Sequence, residues 1–253
     1  MNLPAKNLII EGKVKKVYQS EKTNEVLINH QDKVTAGNGL YKDCMLGKGN
    51  INAKISSIMF KHLEEAGLST HFIELDESNP WNIMRCKKVD IIPLEVVVRN
   101  VAAGSIVRET NIEKGYKFSR PIVEFYLKDD SKNDPLLTQE RLSLMGFEER
   151  YATSFLKVQA LNVNKVIEKV FSNIGLNLID FKLEFGFDSE GRILIADEIT
   201  PDGCRLWVKD TEESMDKDLY REEGYNSTIM SLRVITNKYE KIMVDLENDN
   251  SWY

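Results

Sequence analysis

The alternation of apolar and polar positions predicts a strand-rich beginning to the chain. Short apolar runs at residues 8–10, 14–18 and 25–28 are typical of strands, and Gly12 falls near a bend between the first two. Apolar residues then recur at helical spacing over residues 50–66, directly before a glycine. The pattern therefore predicts a hairpin or meander followed by a helix.

The later part of the chain mixes both periodicities. Strands are predicted at residues 83–85 and 91–98, and a hairpin is predicted from residues 178–185 and 193–198. A long helix is predicted over residues 153–173. Its predicted inward face consists of Phe155, Val158, Leu161, Val166 and Val170.

The order of these elements indicates the fold class. Two helices are predicted near the end of the chain, at about residues 214–222 and 226–246. Strands come first, helices and strands mix later, and no regular βαβ alternation is visible. This order favours an α+β fold over a doubly wound sheet. A soft boundary near residues 85–90 predicts two lobes that share an interface, residues 1–86 and 87–253.

Composition narrows the classes of protein that remain. The 253 residues are 42% hydrophobic and 29% charged, the balance of a globular chain. There are 34 basic and 40 acidic side chains, and the formal net charge is -6. Proteins that bind nucleic acid through broad phosphate contact are usually basic. We therefore expect no nucleic-acid partner, although a local basic patch stays possible.

Targeting and redox features point to the cytoplasm. No stretch approaches the roughly 18 apolar residues that a membrane-spanning helix needs. The N-terminal residues carry no apolar core of signal-peptide length. The three cysteines are widely spaced, which is typical of reduced thiols, and the three histidines do not cluster as zinc ligands do. We expect a cytoplasmic protein without a membrane partner.

Lysines beside a glycine form the first candidate binding site. Gly12 lets the backbone approach an anion closely, and Lys13 and Lys15 would share one face of a strand. This arrangement suits a nucleotide polyphosphate, although it contains neither a Walker A motif nor GxGxxG. The alternative is a solvated strand edge that lysines protect against aggregation.

Two arginines form the second candidate site. Arg99 ends a long apolar strand, and Ser105 follows shortly after it. A guanidinium and a hydroxyl together suit a phosphate or a carboxylate. Arg205 ends a tight turn later in the chain. The alternative is that Arg99 is an ordinary surface residue beside a turn.

The stretch from Asp180 to Phe185 is the most informative. Period two places Asp180, Lys182 and Glu184 on one face of a strand, and pairing in a hairpin would bring Asp197 near Glu184. Two converging carboxylates are hard oxygen ligands for Mg²⁺, which binds a few carboxylates together with substrate phosphates. The alternative is a solvated polar face with a cross-strand ion pair.

Taken together in chain order, these residues and others resemble one family over nearly the whole sequence. The shared motifs are Gly12-Lys13-Val14-Lys15, Thr35-Ala36-Gly37-Asn38-Gly39, Lys48-Gly49, Pro93 to Asn100 with Ala103-Gly104-Ser105, Phe125 to Asp130 with Asp134-Pro135, Asp180 to Gly186, Asp197 to Asp202 with Arg205-Leu206-Trp207, and Met215-Asp216-Lys217-Asp218. Any one motif is weak, but the collinear set is specific. The sequence resembles the SAICAR synthetases of de novo purine synthesis.

The resemblance implies an ATP-dependent carbon–nitrogen ligase. Members join the carboxylate of CAIR, 5-amino-1-(5-phosphoribosyl)imidazole-4-carboxylate, to L-aspartate and convert ATP to ADP and phosphate. The implied fold has two α+β lobes, kinase-like or ATP-grasp-like, with antiparallel sheets, flanking helices and ATP in the cleft between the lobes. A homo-oligomer, with a dimer favoured, is also implied. Two alternatives are a small-molecule kinase and a non-catalytic nucleotide-binding module.

The resemblance also implies roles for individual residues. Gly12, Lys13, Val14 and Lys15 would hold ATP phosphates, and the strand around Lys87 and Val89 would meet adenine. Glu184 and Asp197 would bind Mg²⁺, and Asp180 and Lys182 would line the reacting centre. Residues expected to hold CAIR or to border its cleft are Arg99, Ser105, Lys128, Asp134 and Arg205.

Two departures from the family pattern fall late in the chain. The segment Leu219-Tyr220-Arg221 stands where Arg-Phe-Arg is common, and Val208 follows Trp207 in place of the usual aspartate. The first departure makes anion binding by this helix less secure. Neither departure touches the predicted metal ligands, so we expect activity to persist.

Overall fold

A computed structural model describes residues 7–37, 39–77, 83–223 and 226–249. Asn38, in the predicted Thr35-to-Gly39 motif, lies outside these ranges. Within them, one antiparallel sheet has the strand order β1-β2-β3-β7-β6. Its strands are β1 (Leu8–Glu11), β2 (Lys15–Gln19), β3 (Glu25–His30), β6 (Phe72–Asp76) and β7 (Ile83–Lys87). A separate two-stranded ribbon pairs β4 (Lys33–Ala36) with β5 (Tyr41–Cys44).

The second sheet is antiparallel and is organised around one long strand. β12 pairs with β9 and β14 through its first half, and with β13 and β8 through its second half. β10 and β11 extend the sheet beyond β9. The strands are β8 (Asp90–Ile91), β9 (Leu94–Val101), β10 (Lys117–Leu127), β11 (Leu136–Leu137), β12 (Leu176–Phe187), β13 (Ile193–Ala196) and β14 (Cys204–Val208).

Helices pack around both sheets. α1 contacts strands of the first sheet and also α5 and α7, while α5 packs on β9, β10 and β12. The helices are α1 (Lys48–Glu65), α2 (Ser105–Glu109), α3 (Gln139–Leu144), α4 (Phe147–Tyr151), α5 (Thr153–Asn173), α6 (Asp218–Glu223) and α7 (Ile229–Glu247). None of these described helices is long and apolar enough to cross a membrane.

The α+β class with antiparallel sheets is confirmed, as are the main predicted elements. The predicted strand at residues 91–98 is wrong in detail, because Ile92 and Pro93 separate β8 from β9. Proline cannot donate a ladder hydrogen bond, so the break falls at a natural position. The helix predicted at residues 214–222 begins only at Asp218. The two sheets separate between β7 and β8, and a lobe boundary at residue 86 stays a prediction.

The inward face predicted for α5 is correct at Val170 and wrong at Phe155 and Val158. Phe155 and Val158 are 45% and 54% exposed, while Leu156 and Ala160 are fully buried. The helix itself was predicted correctly, but the predicted buried face is rotated about the helix axis towards solvent. The apolar set that packs on the sheet comprises Leu156, Ala160, Val163, Ile167, Val170 and Phe171.

Candidate active site

The register of the second sheet concentrates charge on β12. Asp180 stands directly opposite Arg99 of β9 on one side and Arg205 of β14 on the other. Glu184, four residues further along, stands opposite Ala196 at the end of β13. At about 3.4 Å per residue, the two residues are therefore spaced by about 14 Å along the strand.

Arg99 is held by a complete set of protein acceptors. The residue is buried, and its guanidinium donates to Glu124 and Ser105 at 2.7 Å and to Asp180 at 2.9 Å. Further hydrogen bonds reach Tyr126 Oη and the Ala103 carbonyl. A direct bond from Arg99 to substrate would compete with these partners, so the geometry favours a positioning role through Asp180 and Ser105.

Arg205 is held in a more open setting. Its Nη1 donates to both oxygens of Asp180, at 3.1 and 2.9 Å, and its Nε donates to Asp218 at 3.0 Å. A Cβ added to Gly104 would lie within 2.7 Å of this guanidinium, and Gly104 has a φ of 64°. A glycine is therefore required where the chain passes under Arg205. The exposed part of Arg205 borders a cavity.

That cavity has a volume of about 520 Å³ and a strongly cationic wall. Two of the cations, Lys13 and Arg205, were predicted from the sequence as ligand-binding residues. The lining residues are Lys13, Thr35, Ala36, Gly37, Gly39, Arg108, Arg205, Lys217 and Arg221. Because five cations converge on it, the cavity suits a ligand with several negative charges.

One face of β12 carries Asp180, Lys182 and Glu184 and is called here the polar face of β12. Glu184 is buried at its other end. Lys182 donates to Glu184 Oε1 at 2.9 Å and to Glu95 Oε1 at 2.8 Å. Lys128 forms a short ion pair with the second oxygen of Glu184. Burial opposes ionisation, but Lys182, Lys128 and Lys15 together lower the pKa of Glu184. Burial likewise opposes the charge of Lys182, whose pKa is nevertheless raised by Glu184, Asp197 and Glu95.

Asp197 and Glu198 share one lysine from the first sheet. Lys15 pairs closely with Asp197 and lies 3.0 Å from Glu198 Oε1. His30 Nε2 lies 3.3 Å from the other oxygen of Glu198. Although burial opposes it, the charge of Lys15 and the contact with His30 lower the pKa of Glu198. Lys15 thereby joins the first sheet to the carboxylates of the second.

The glycine–lysine segment differs from its prediction in one respect. Lys13 and Val14 lie in a bend, and β2 begins only at Lys15. The bend is closed by a hydrogen bond from the Gly12 N–H to the Lys15 carbonyl, at 2.8 Å. Lys13 therefore does not share a strand face with Lys15; it pairs with Asp130 at 2.7 Å and lines the cationic cavity.

The remaining predicted residues have structural partners. Lys87 ends β7, and its Nζ approaches the Thr70 carbonyl at 3.4 Å. Val89 packs against Gly186, whose missing side chain leaves room for it. Asp134 accepts a hydrogen bond from the Asp129 N–H at 2.8 Å and so closes a loop. The predicted adenine and cleft-border roles of these residues stay predictions.

Sequence reasoning missed a buried charge network around Asp202. This carboxylate pairs with Lys48 at 2.5 Å and accepts hydrogen bonds from Asn52 and Tyr239. Lys217 lies 4.0 Å from it. The motifs that contain Lys48, Asp202 and Lys217 were visible in the sequence. Their contact between α1, α7, the turn before β14 and the segment before α6 was not.

The donor set around Glu184 and Asp197 is compatible with Mg²⁺. No group of three or more histidine, cysteine or acidic residues that would hold a metal by itself occurs among the described residues. Mg²⁺ is usually held by only one or two carboxylates together with substrate phosphates, so two carboxylates suffice. Lysine ammonium groups now pair with these oxygens, so a metal ion would take the place of Lys15 at Asp197 and of Lys128 at Glu184.

Comparison with known proteins agrees with this geometry. The family model described as SAICAR synthetase matches residues 8–233, and therefore includes the whole polar face of β12. The chain belongs to the SAICAR synthetase family. Its function is accordingly SAICAR synthetase activity in de novo purine biosynthesis, a carbon–nitrogen ligase activity.

Relatives cover nearly the full chain. The phosphoribosylaminoimidazole-succinocarboxamide synthase of Staphylococcus carnosus is 44% identical over 236 residues, which are 93% of this chain and 99% of the relative. The Staphylococcus aureus enzyme of the same name matches with the same identity and coverage.

Solved structures share the fold. A SAICAR synthetase described as a complex with ADP has a TM-score of 0.85 and 36% identity, over 95% of this chain and 97% of that one. The phosphoribosylaminoimidazole-succinocarboxamide synthase of Ehrlichia chaffeensis has a TM-score of 0.86 and 34% identity, over 96% and 99%. These matches confirm the predicted family and fold.

Proposed function

We propose that this chain uses ATP and Mg²⁺ to join the carboxylate of CAIR to L-aspartate through an acyl phosphate. A carboxylate does not react with an amine until it is activated. Transfer of the γ-phosphoryl group of ATP to the carboxylate gives a mixed anhydride with a good leaving group. Enzymes that transfer phosphoryl groups act mainly by positioning and by stabilising charge, which is the task that these side chains suit.

The observation that carries the proposal is the shared face of β12. Asp180 contacts Arg205, which lines the cationic cavity. Glu184 lies among the carboxylates and lysines at the other end, where it pairs with Lys182. Lys182 lies between them on the same face. A substrate that bridges the two regions would meet cations for its phosphate at one end and the nucleotide–metal region at the other, with Lys182 beside the reacting carboxylate.

The nucleotide end is assigned to Lys15, Glu184 and Asp197. The similar structure solved with ADP supports use of a nucleotide. Glu184 and Asp197 would hold Mg²⁺, which when bound neutralises charge on the transferring phosphoryl group. Lys15 would exchange its carboxylate partners for phosphate oxygens, since an ammonium on a flexible stem is readily redirected.

The CAIR end is assigned to the cavity beside Arg205. Its cations offset the negative charge of the ribose phosphate, and Ser105 supplies a hydroxyl beside them. Arg99 orients Asp180, and Asp180 in turn orients Arg205. The net negative charge of the chain does not oppose this role, because the relevant field is local.

The direct test is aspartate-dependent product formation. Purified protein is incubated with CAIR, ATP, Mg²⁺ and L-aspartate, and the product is followed by absorbance and mass, with aspartate omitted in the control. We expect SAICAR, ADP and phosphate only when aspartate is present. A phosphorylated CAIR released as the final product would instead indicate a kinase, and nucleotide binding without any turnover would indicate a binding module.

Two broader expectations accompany the proposal. We expect the protein to act in the cytoplasm, where its substrates are made, and to form a homodimer. Sedimentation velocity at several protein concentrations measures the second expectation. A single monomeric species at micromolar concentration would contradict it.

A further inference from the structure

Lys217 differs from the other lysine of the cationic cavity. Lys13 pairs with Asp130 at 2.7 Å, whereas Lys217 Nζ lies 4.0 Å from its neighbouring carboxylate, Asp202. Its side chain is only 15% exposed, yet it lines the cavity. Lys217 is thus a buried amine at a substrate-sized cavity with only a distant counter-charge.

The partner of Lys217 is already occupied. Asp202 pairs with Lys48 at 2.5 Å and accepts hydrogen bonds from Asn52 at 2.9 Å and Tyr239 at 3.1 Å. These donors come from α1 and α7, which fix the carboxylate from two sides. Asp202 therefore has a closer cationic partner than Lys217, and the charge of Lys48 opposes its attraction for an ammonium at Lys217.

The other charged groups around Lys217 do not compensate. Asp216 accepts the Leu206 N–H at 2.9 Å and lies 3.4 Å from Arg221, and Asp218 pairs with both Arg205 and Arg221. Glu198 is held by Lys15 and His30. The remaining close cations, Arg221 and Lys48, oppose a further positive charge.

These surroundings make the neutral amine of Lys217 easier to form than that of a lysine in water. Burial is the main cause, and the charges of Arg221 and Lys48 add to it, so that the pKa of Lys217 falls to about 8 although Asp202 and Glu198 act in the opposite direction. A general base works best when its pKa lies near the pH of the reaction.

We propose that Lys217 is the catalytic base that removes a proton from the α-ammonium group of L-aspartate. The proposal rests on the ligase function proposed above. Within the cationic cavity, it places the phosphate of CAIR on the Arg205 side and the aspartate substrate on the Lys217 side. L-Aspartate is protonated at its amine near neutral pH, and only the neutral amine has the electron pair that attacks a carbonyl carbon.

The step balances as follows. The neutral Lys217 amine takes one proton from the aspartate ammonium and becomes an ammonium. The free amine then attacks the acyl phosphate carbon; a C–N bond forms, the C–O bond to phosphate breaks, and phosphate leaves with that electron pair. The departing phosphate takes the second proton from nitrogen. Lys217 returns its proton to water after the product has left.

The experiment separates proton removal from acyl phosphate formation. The Lys217→Arg variant keeps the positive charge but does not titrate, and the Lys217→Met variant removes the charge at similar length. Lys165→Met, an exposed position on α5, is the matched control. For each protein, kcat with aspartate is measured from about pH 6 to 9.5, and hydroxylamine replaces aspartate in a parallel series because it is already neutral at pH 7.

We expect kcat with aspartate to fall about 100-fold or more in both Lys217 variants, the usual contribution of a general base. The unchanged protein should show a fall in kcat at acidic pH, and this fall should be absent from the kcat profiles of both Lys217 variants. Both variants should still form the hydroxamate of CAIR and release ADP, which shows that they are folded and make the acyl phosphate. The Lys165→Met variant should match the unchanged protein in every assay.

Three results would overturn the inference. The first is an unchanged kcat with a raised KM for aspartate, which would mean that Lys217 only binds a carboxylate. The second is full activity in Lys217→Arg. The third is an equal loss with aspartate and hydroxylamine in both variants. The proposed function itself fails separately, if the unchanged protein forms neither SAICAR nor the hydroxamate.

Discussion

The two ends of the polar face of β12 hold their carboxylates in different ways. Asp180 lies between Arg99 and Arg205, whose planar guanidinium groups fix it from both neighbouring strands. Glu184 is held by Lys128 and Lys182, single point charges on flexible stems. The difference indicates that the Asp180 end is a rigid support, whereas the Glu184 end can exchange its cations for a metal ion and phosphates.

The largest expected effect tests the rigid end. Arg99→Met should lower the free energy of unfolding by about 3–5 kcal/mol, because it removes all the hydrogen bonds of a buried guanidinium, leaves Glu124 without its ion partner and leaves the buried Asp180 with Arg205 alone. Lys182→Met, at the other end, should cost less, since Lys128 still pairs with Glu184. Urea unfolding of both variants measures the difference. Equal losses would show that the two ends are equally rigid.

The next effect tests the exchangeable end through activity. Asp197→Asn should lower turnover about 100-fold or more, the usual scale for losing one group that stabilises developing charge. The fold should persist, because Asp197 has a φ of 67° and asparagine tolerates this left-handed region. Initial rates at several Mg²⁺ concentrations measure the change. Glu190→Gln, exposed in the β12–β13 turn, is the control, and wild-type turnover in Asp197→Asn would refute the metal assignment.

A smaller effect should appear in the pH dependence of stability. The folded state lowers the pKa of Glu184, so its stabilising contribution is complete above the ordinary value near 4.5 and is lost as the pH falls below it. The unchanged protein should therefore lose more stability than Glu184→Gln between pH 5 and pH 3. Denaturant unfolding at each pH measures this. Parallel curves for the two proteins would contradict the cation-held carboxylate.

The smallest expected change in stability concerns Lys13. Its ion pair with Asp130 is exposed, so Lys13→Ala should change the free energy of unfolding by less than about 1 kcal/mol. If Lys13 holds ATP phosphates, as the resemblance to the family implies, the same variant should raise KM for ATP. Lys33→Ala removes a comparable exposed pair with Glu11 and serves as the control. An unchanged KM for ATP in Lys13→Ala would remove Lys13 from the nucleotide site.

The comparison also shows which site features a sequence can reveal. The period-two charges of β12 were predictable, because alternation fixes which side chains share a strand face whatever the strand packs against. The position of Lys13 was not, since a bend of two residues moved β2 to begin at Lys15. The partners of Arg99 could not be predicted from the sequence either. Its strand was predicted, but its partners on β10, β12 and α2 come from distant parts of the chain.

The sequence by itself determined the α+β class, the family and most helices and strands, because these depend on local periodicity and on motifs in order along the chain. Only the tertiary structure decided which charges meet. The contact of Asp180 with Arg99 and Arg205 requires three strands in register. The network of Asp202 requires α1, α7 and the segment before α6 to converge. Burial and counter-charges set the proton affinity of Lys217, and both are properties of the packed molecule rather than of any one segment.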